Sequence, residues 1–352
     1  MKKKSDREYV NCKQLLSHTE ARFKLLYGGR DNGKSYTVKE FCLKNAIENN
    51  NFFAYVRRDE LETKPAKVER YFRDYEIYTL TDGLADKVTV FNQTIYLTKV
   101  GEDLKEKRIK EIGSVFWLGG AEHYKSLQFP EITDLIFEEF LTDKGYDVNE
   151  ADNLQSIVST VFRSREGRIW LIGNTDSKLN PIIQEWGITK EFSKQKRGSV
   201  IVYDIGNGQK LASHRVDEVT DSKLTFRRKD VVEDGEWKVD TFSKMRYNID
   251  EYSIIFTIKY ESIFNFNIKV CVYLKTGKPF LYVYPNTLEH SKFDFLLNVD
   301  RLPYEDFNVW NNLITGELQK KIYALIKEKN IVFSSDSCGT DFIQCLKINK
   351  LI

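Results

Sequence analysis

The stretch GGRDNGKS at residues 28–35 constrains this chain more than any other, because it fits G-x-x-x-x-G-K-[ST] at Gly28, Gly33, Lys34 and Ser35. The apolar run Phe23, Leu25, Leu26, Tyr27 precedes it, and Val38, Phe41, Cys42, Ala46 and Ile47 recur on one helical face after it. Strand, loop and helix thus stand in the order a phosphate-binding loop requires. Glycines let backbone N–H groups close around a phosphate, and the helix N-terminus adds partial positive charge. Lys34 is expected to reach the β- and γ-phosphates of a nucleotide, with the Ser35 hydroxyl as a ligand of Mg²⁺. Arg30 inside the loop could meet a phosphate, a neighbouring subunit or solvent.

At 352 residues the chain has room for about two cores. Its 41% hydrophobic and 30% charged residues are those of a soluble globular protein, and no apolar run approaches the ~18 residues of a membrane span. Met-Lys-Lys-Lys is followed by Ser5, Asp6, Arg7 and Glu8 rather than an apolar stretch, so an intracellular location is expected. Five cysteines without a C-x-x-C pair and four scattered histidines offer no zinc spacing, which leaves the cysteines as reduced packing residues. A net charge of +2 means that any nucleic-acid contact must come from local patches. Candidates are Arg57 with Arg58, residues 105–110, residues 190–197 and residues 227–229, each equally readable as a solvated face.

In chain order, residues 1–22 read as a helical lead-in, and 52–56 as a buried strand ended by Arg57 and Arg58. Pro65 opens a helix over 66–77, and residues 88–100 read as a hairpin turning at Asn92 and Gln93. A strand at 114–118 and a helix at 121–127 follow. Leu135, Ile136 and Phe137 then form an apolar run that ends in Glu138 and Glu139. Open α/β sheets bind ligands beyond the carboxyl ends of their strands, so these carboxylates should face the phosphate loop. Glu138 is read as the metal-side acid and Glu139 as the group that orients and deprotonates a water. The metal-side acid is more often Asp, which leaves their division of labour open.

A helix at 153–163 delivers Arg163 and Arg165, and a strand at 169–172 ends in Gly173 and Asn174, where an Asn can bond a γ-phosphate or the attacking water. Arg163 or Arg165 could serve a neighbouring subunit as an arginine finger, and Arg165 could equally pair with Glu166. Residues 1–205 therefore read as an α/β P-loop NTPase of the additional-strand, catalytic-glutamate type. Residues 206–250, polar and charged, read as a linker subdomain. Residues 251–352 show three alternating strands, a helix near 316–329, a strand at 331–333 and a helix near 341–347, an order that suits an α+β ribonuclease-H-like domain.

GGRDNGKSY (28–36), YVRR (55–58), KVERYF (67–72), IFEEF (136–140), VFRSRE (161–166) and GN (173–174) together resemble the DNA-packaging ATPases of small tailed phages, relatives of the large terminase subunits. The resemblance covers nearly the whole length. It implies an ATP- and Mg²⁺-dependent homo-oligomeric ring, pentameric in that family, driving double-stranded DNA through a portal (connector) protein into a procapsid in the host cytoplasm. In such motors a structural packaging RNA often attaches the ring. It further implies that Arg163 matches the finger, that Lys125 matches a basic interface position, that Tyr36 belongs to the nucleotide-binding motif, and that Gln14 stands where such motors place an adenine-reading glutamine. Terminase relatives cut DNA with two metal ions held by several carboxylates. Here the first strand of the second domain carries Thr257, Ile258, Lys259 and Tyr260, and only Asp336, with Asp341 further on, stands at a suitable late position. A vestigial nuclease domain is expected. The alternatives are a nuclease-active terminase-like ATPase, a non-hydrolysing nucleotide-gated DNA- or RNA-binding protein and, further off, a metabolic kinase.

Overall fold

The computed structural model describes residues 10–29, 32–142, 145–146, 149–174, 179–216, 256–260, 264–272, 276–286, 295–296, 308–309, 317–348 and 352. A short helix α1 (Lys13–Ser17) leads into β1 (Phe23–Gly28), the loop, and α2 (Lys34–Asn49). Asn50 stops α2 in a left-handed conformation at φ 56°, and β2 (Phe52–Arg57) follows. Then come α3 (Pro65–Tyr71), α4 (Ile77–Leu80), β3 (Lys87–Phe91), β4 (Thr94–Val100), β5 (Glu106–Trp117), α5 (Ala121–Tyr124) and β6 (Ile132–Glu138). The unit closes with α6 (Glu150–Phe162), β7 (Arg168–Asn174), α7 (Pro181–Glu185), α8 (Thr189–Ser193), β8 (Val200–Asp204) and β9 (Lys210–Arg215).

These strands form one nine-stranded sheet in the order β3-β4-β5-β2-β6-β7-β1-β9-β8. From β5 to β9 every pairing is parallel, so the ends of β1, β2, β6 and β7 point the same way. Strand β7 lies between the loop strand β1 and the acid strand β6. Strands of a parallel sheet are buried on both faces, and the sequence shows why these are. Phe23, Leu25 and Tyr27 of β1 enter one core with Leu154, Ile157, Val158 and Val161 of α6, while Leu26 enters the other with Val38, Cys42 and Ala46 of α2. All five cysteines are buried and free, as expected.

Several boundaries differ from the sequence expectations. The helix from Pro65 stops at Tyr71, because Phe72 N–H closes a tight turn onto Glu69 and Arg70, and Phe72 and Tyr75 are buried in the core. The helix expected at 121–127 ends at Tyr124. The strand expected at 114–118 is the end of a longer strand, β5, which also takes in residues 106–110 of the charged patch. Helix α6 begins at Glu150 rather than 153. The first unit also does not end at 205: β8 and β9 form a hairpin, β9 pairs with β1, and Val216 N–H donates to Tyr27 O. Most of the expected linker, 217–250, and residues 227–229 with it, lie outside the described residues.

The second unit carries a six-stranded sheet in the order β14-β13-β10-β11-β12-β15, built from β10 (Phe256–Tyr260), β11 (Phe264–Val272), β12 (Pro279–Pro285), β13 (Phe295–Leu296), β14 (Asn308–Val309) and β15 (Ile331–Phe333). Strands β10, β11 and β12 are antiparallel neighbours, as the alternation predicted. Helices α9 (Glu317–Lys327) and α10 (Asp336–Ile348) pack Ile322, Phe342 and Cys345 against Phe266, Ile268, Leu281 and Val283. Helix α10 starts earlier than expected because Ser335 caps it, its Oγ accepting from Cys338 N–H at 3.1 Å. Asp336 therefore lies in the first helical turn and is fully buried. Leu179, from the segment after β7, joins this second core.

Candidate active site

The loop is shaped by two of its glycines. Gly33 sits at φ 83° as the N-cap of α2, a conformation that costs a side chain dearly, and a Cβ on Gly28 would come 3.0 Å from Val216 O. Lys34 is buried, and its Nζ donates to Gly28 O at 3.1 Å, to Asn32 Oδ1 at 2.8 Å and to Gly29 O. The lead-in touches this loop through Val10 N–H to Asn32 O at 3.2 Å.

A cleft of about 530 Å³ opens over the loop at the carboxyl ends of the strands. The sequence-predicted Gly33, Lys34, Ser35, Tyr36, Glu138, Glu139 and Asn174 all line it, from three separate segments. They are joined by Asn32, Lys39, Glu62 and Tyr71, to which the sequence reading gave no role in the site, and by Arg57, which it had offered as part of a nucleic-acid patch. The first turn of α2 leaves backbone N–H groups without intrahelical partners, aimed into this space. Beside it, Asn32 is 2% exposed and its Nδ2 has no hydrogen-bond partner. A buried donor left over at a phosphate-binding loop fits a nucleotide phosphate.

Glu138 is buried at the end of β6 within a cage of donors. Lys39 Nζ lies 3.2 Å from its Oε1, Arg57 Nη1 lies 3.3 Å from its Oε2, and the Tyr55 hydroxyl donates to Oε2. Burial pushes its carboxyl up, but Lys39, Arg57 and hydrogen bonds from Tyr55 and Ser35 outweigh that and bring it down to about 2. It is an anion at any physiological pH. Its hydrogen bond with Ser35 makes these two oxygen ligands the fit for a small hard cation such as Mg²⁺.

Glu139 differs from its neighbour in every respect. It follows the strand at φ 59°, in the left-handed region, and its side chain is 43% exposed, with Arg57 Nη2 at 3.3 Å. Non-glycine residues held there carry strain that surrounding contacts must offset. Arg57 also pairs with Glu62, and its guanidinium lies 4.9 Å from the Tyr71 ring centroid. Tyr36 stacks on Tyr75 at 4.7 Å, and the Tyr75 hydroxyl donates to Tyr36 O at 3.1 Å.

Other sequence candidates lie elsewhere. Gln14 is exposed on α1 and does not line the cleft, and Arg30 lies outside the described residues. Arg57 and Arg58, offered as a nucleic-acid patch, are respectively buried and half-buried, so that reading is corrected. Arg163 ends α6 at the amino ends of the central strands, the opposite end from the cleft, and is exposed, with Nη2 3.3 Å from Leu127 O. The helix of 13 residues spans about 20 Å, so Arg163 does not reach the cleft of its own chain. Arg165 donates to the carbonyls of Phe129, Pro130, Ile132 and Val161, which makes it an anchor of its own chain rather than a free cation, and no ion pair with Glu166 occurs among the described residues. Lys125 is exposed and pairs with Glu122 at 2.7 Å.

Known proteins resemble this chain in sequence and in fold. A DNA packaging protein of Bacillus phage B103 is 28% identical over 183 residues, covering 48% of this chain and 49% of that protein. The DNA packaging protein of Bacillus phage phi29 is 27% identical over 192 residues, covering 53% and 52%. The chain thus spans about half the length of the curated relatives it matches. A chain of the bacteriophage Phi-29 viral genome packaging motor assembly shares the fold with a TM-score of 0.53 at 21% identity, over 94% of this chain and 95% of that one. A chain of the Phi-28 gp11 DNA packaging motor does so with a TM-score of 0.51 at 19% identity, over 98% and 99%. The sequence pattern of the Podovirus DNA encapsidation proteins (Gp16) matches residues 3–270, and the chain belongs to that family.

Proposed function

We propose that this protein hydrolyses ATP to drive double-stranded DNA through a portal into a preformed capsid, as a ring of identical subunits. The observation that carries the reading is the convergence of Lys34, Ser35, Glu138, Glu139 and Asn174 on one cleft at the carboxyl ends of parallel strands. The placement of β7 between β1 and β6 supports the additional-strand, catalytic-glutamate class.

Lys34 exchanges the loop carbonyls for the β- and γ-phosphates, and Asn32 Nδ2 gains the partner it lacks. Mg²⁺, when bound with ATP, supplies charge neutralisation on the phosphates, and Ser35 with Glu138 would hold it. Glu139, exposed at the cleft, accepts the proton of the attacking water, while Asn174 orients that water or the γ-phosphate. Arg163, at the amino ends of the central strands, acts in the neighbouring subunit's cleft, which makes the ring a head-to-tail assembly closed by rotation. Lys125 lies near the same interface. The second unit binds nucleic acid or the portal without cutting, and the wholly buried Asp336 supports that reading. A pentameric ring and a packaging RNA remain parts of the proposal that rest on the family resemblance.

The test is ATP turnover by the full chain with DNA and portal. Lys34→Ala and Glu139→Gln should each lower the hydrolysis rate by at least about 10²-fold, and Glu139→Gln should still bind ATP. Turnover unaffected by both substitutions would overturn the reading. Plasmid incubated with the protein and Mn²⁺ should stay intact; nicking abolished by Asp336→Ala would restore a nuclease.

A further inference from the structure

The strained backbone of Glu139 is held from behind. Arg58, the residue after β2, donates from Nη1 to Glu139 O at 2.6 Å and from Nη2 to Phe140 O at 3.2 Å. The same guanidinium forks onto Glu150, Nε to Oε2 at 3.0 Å and Nη2 to Oε1 at 2.6 Å. Its faces lie against Phe137 and Tyr146, at 5.3 and 5.1 Å from the ring centroids. Glu150 is fully buried as the first residue of α6, where the helix N-terminus favours a carboxylate. On the same loop, Asn180 Nδ2 donates to Phe140 O at 2.8 Å.

We infer that Arg58 is a positioning residue: it fixes the main chain of Glu139 to the amino end of α6 and thereby aims the carboxylate at the attacking water. The inference rests on the reading of Glu139 as the general base. A planar fork is needed, since four acceptors in two directions are met by one rigid cation, and an ammonium group cannot reproduce that geometry. Arg58 itself does not line the cleft, so its loss acts through Glu139 and leaves nucleotide contacts alone. A misplacement of about 1 Å in a catalytic group can cost up to about 10²-fold in rate.

The test compares Arg58→Lys, Glu150→Gln and Glu139→Gln in the full chain, reading kcat, the Kd of a fluorescent ATP analogue and the melting temperature. Arg58→Lys should lower kcat about tenfold or more with Kd unchanged within about twofold. Glu150→Gln, which keeps shape and one acceptor, should move kcat in the same direction and is the variant to rely on where Arg58→Lys folds poorly. If Glu139→Gln is inactive while both other variants keep wild-type kcat, or lose it only in proportion to folded protein, the positioning role is overturned and the base assignment stands. If Glu139→Gln remains active, the base assignment fails and the positioning role falls with it.

Discussion

Two adjacent glutamates show how far environment separates identical side chains. Glu138 sits in a cage of Lys39, Arg57 and Tyr55, whereas Glu139 projects into the cleft. Glu138 ionises near 2 in the folded protein against an ordinary value of 4.5, so its folded pKa is depressed. The stability this contributes is present above pH ~4.5 and is lost as pH falls toward ~2, and it amounts to roughly 3 kcal/mol. Glu138→Gln should therefore flatten the acid limb of a stability-versus-pH curve between those values, read by denaturant unfolding at several pH values. An unchanged slope would contradict the cage. Asp134 is fully buried on the same strand and receives Arg168 at 2.7 Å on each oxygen, Trp170 Nε1 at 3.0 Å and Asn45 Nδ2 at 3.3 Å. Asp134→Ala leaves a half-buried guanidinium and an indole unpaired, and should cost about 3–5 kcal/mol by denaturant titration.

At the scale of elements, the phosphate loop, the acid strand and the hairpin were legible because each is specified within a few residues. The turn at Asn92 and Gln93 illustrates this: both residues have positive φ, 47° and 64°, the geometry of a two-residue hairpin turn. Glycine suits the second position better, so Gln93→Gly should raise stability by about 0.5–1 kcal/mol, visible as a higher melting temperature. Ser335 as the cap of α10 was equally local and could have been found from the Ser-Asp pair. Lys39 left a fainter signal, a cation one place from Val38 on the buried side of α2. Arg57, at the carboxyl end of a parallel strand beside the acids, had the right address but was read as surface. Besides nearby Glu62, it binds the two acids 81 and 82 residues away in sequence, and nothing local states that pairing.

For the whole molecule, the cleft and Arg163 stand at opposite ends of the central strands, an arrangement that suits the proposal that one subunit completes its neighbour's site. Doping Arg163→Ala subunits into wild-type rings should lower ATP turnover more steeply than their fraction; a strictly proportional loss would assign Arg163 to its own chain. If DNA is held through its phosphates, as the proposed function implies, its affinity should fall steeply with salt and show little sequence preference. A salt-insensitive, sequence-specific complex would contradict that. Leu179 meanwhile ties the segment after Asn174 to the core of the second unit, a contact no sequence pattern announced.

The sequence by itself determined where the glycine-rich loop lies between strand and helix, which strand carries the acids, and where Asn174 falls, because glycine spacing, apolar periodicity and strand ends are short-range properties of the chain. Only the tertiary structure decided that Glu138 is caged while Glu139 stands half-exposed at the cleft beside Arg57, that Arg57 and Arg58 face inward, and that Arg165 is spent on carbonyls of its own chain. The reason is physical: charge and burial are set by neighbours that arrive from distant strands, and a guanidinium reads as surface or as anchor according to which acceptors the fold brings within 3 Å.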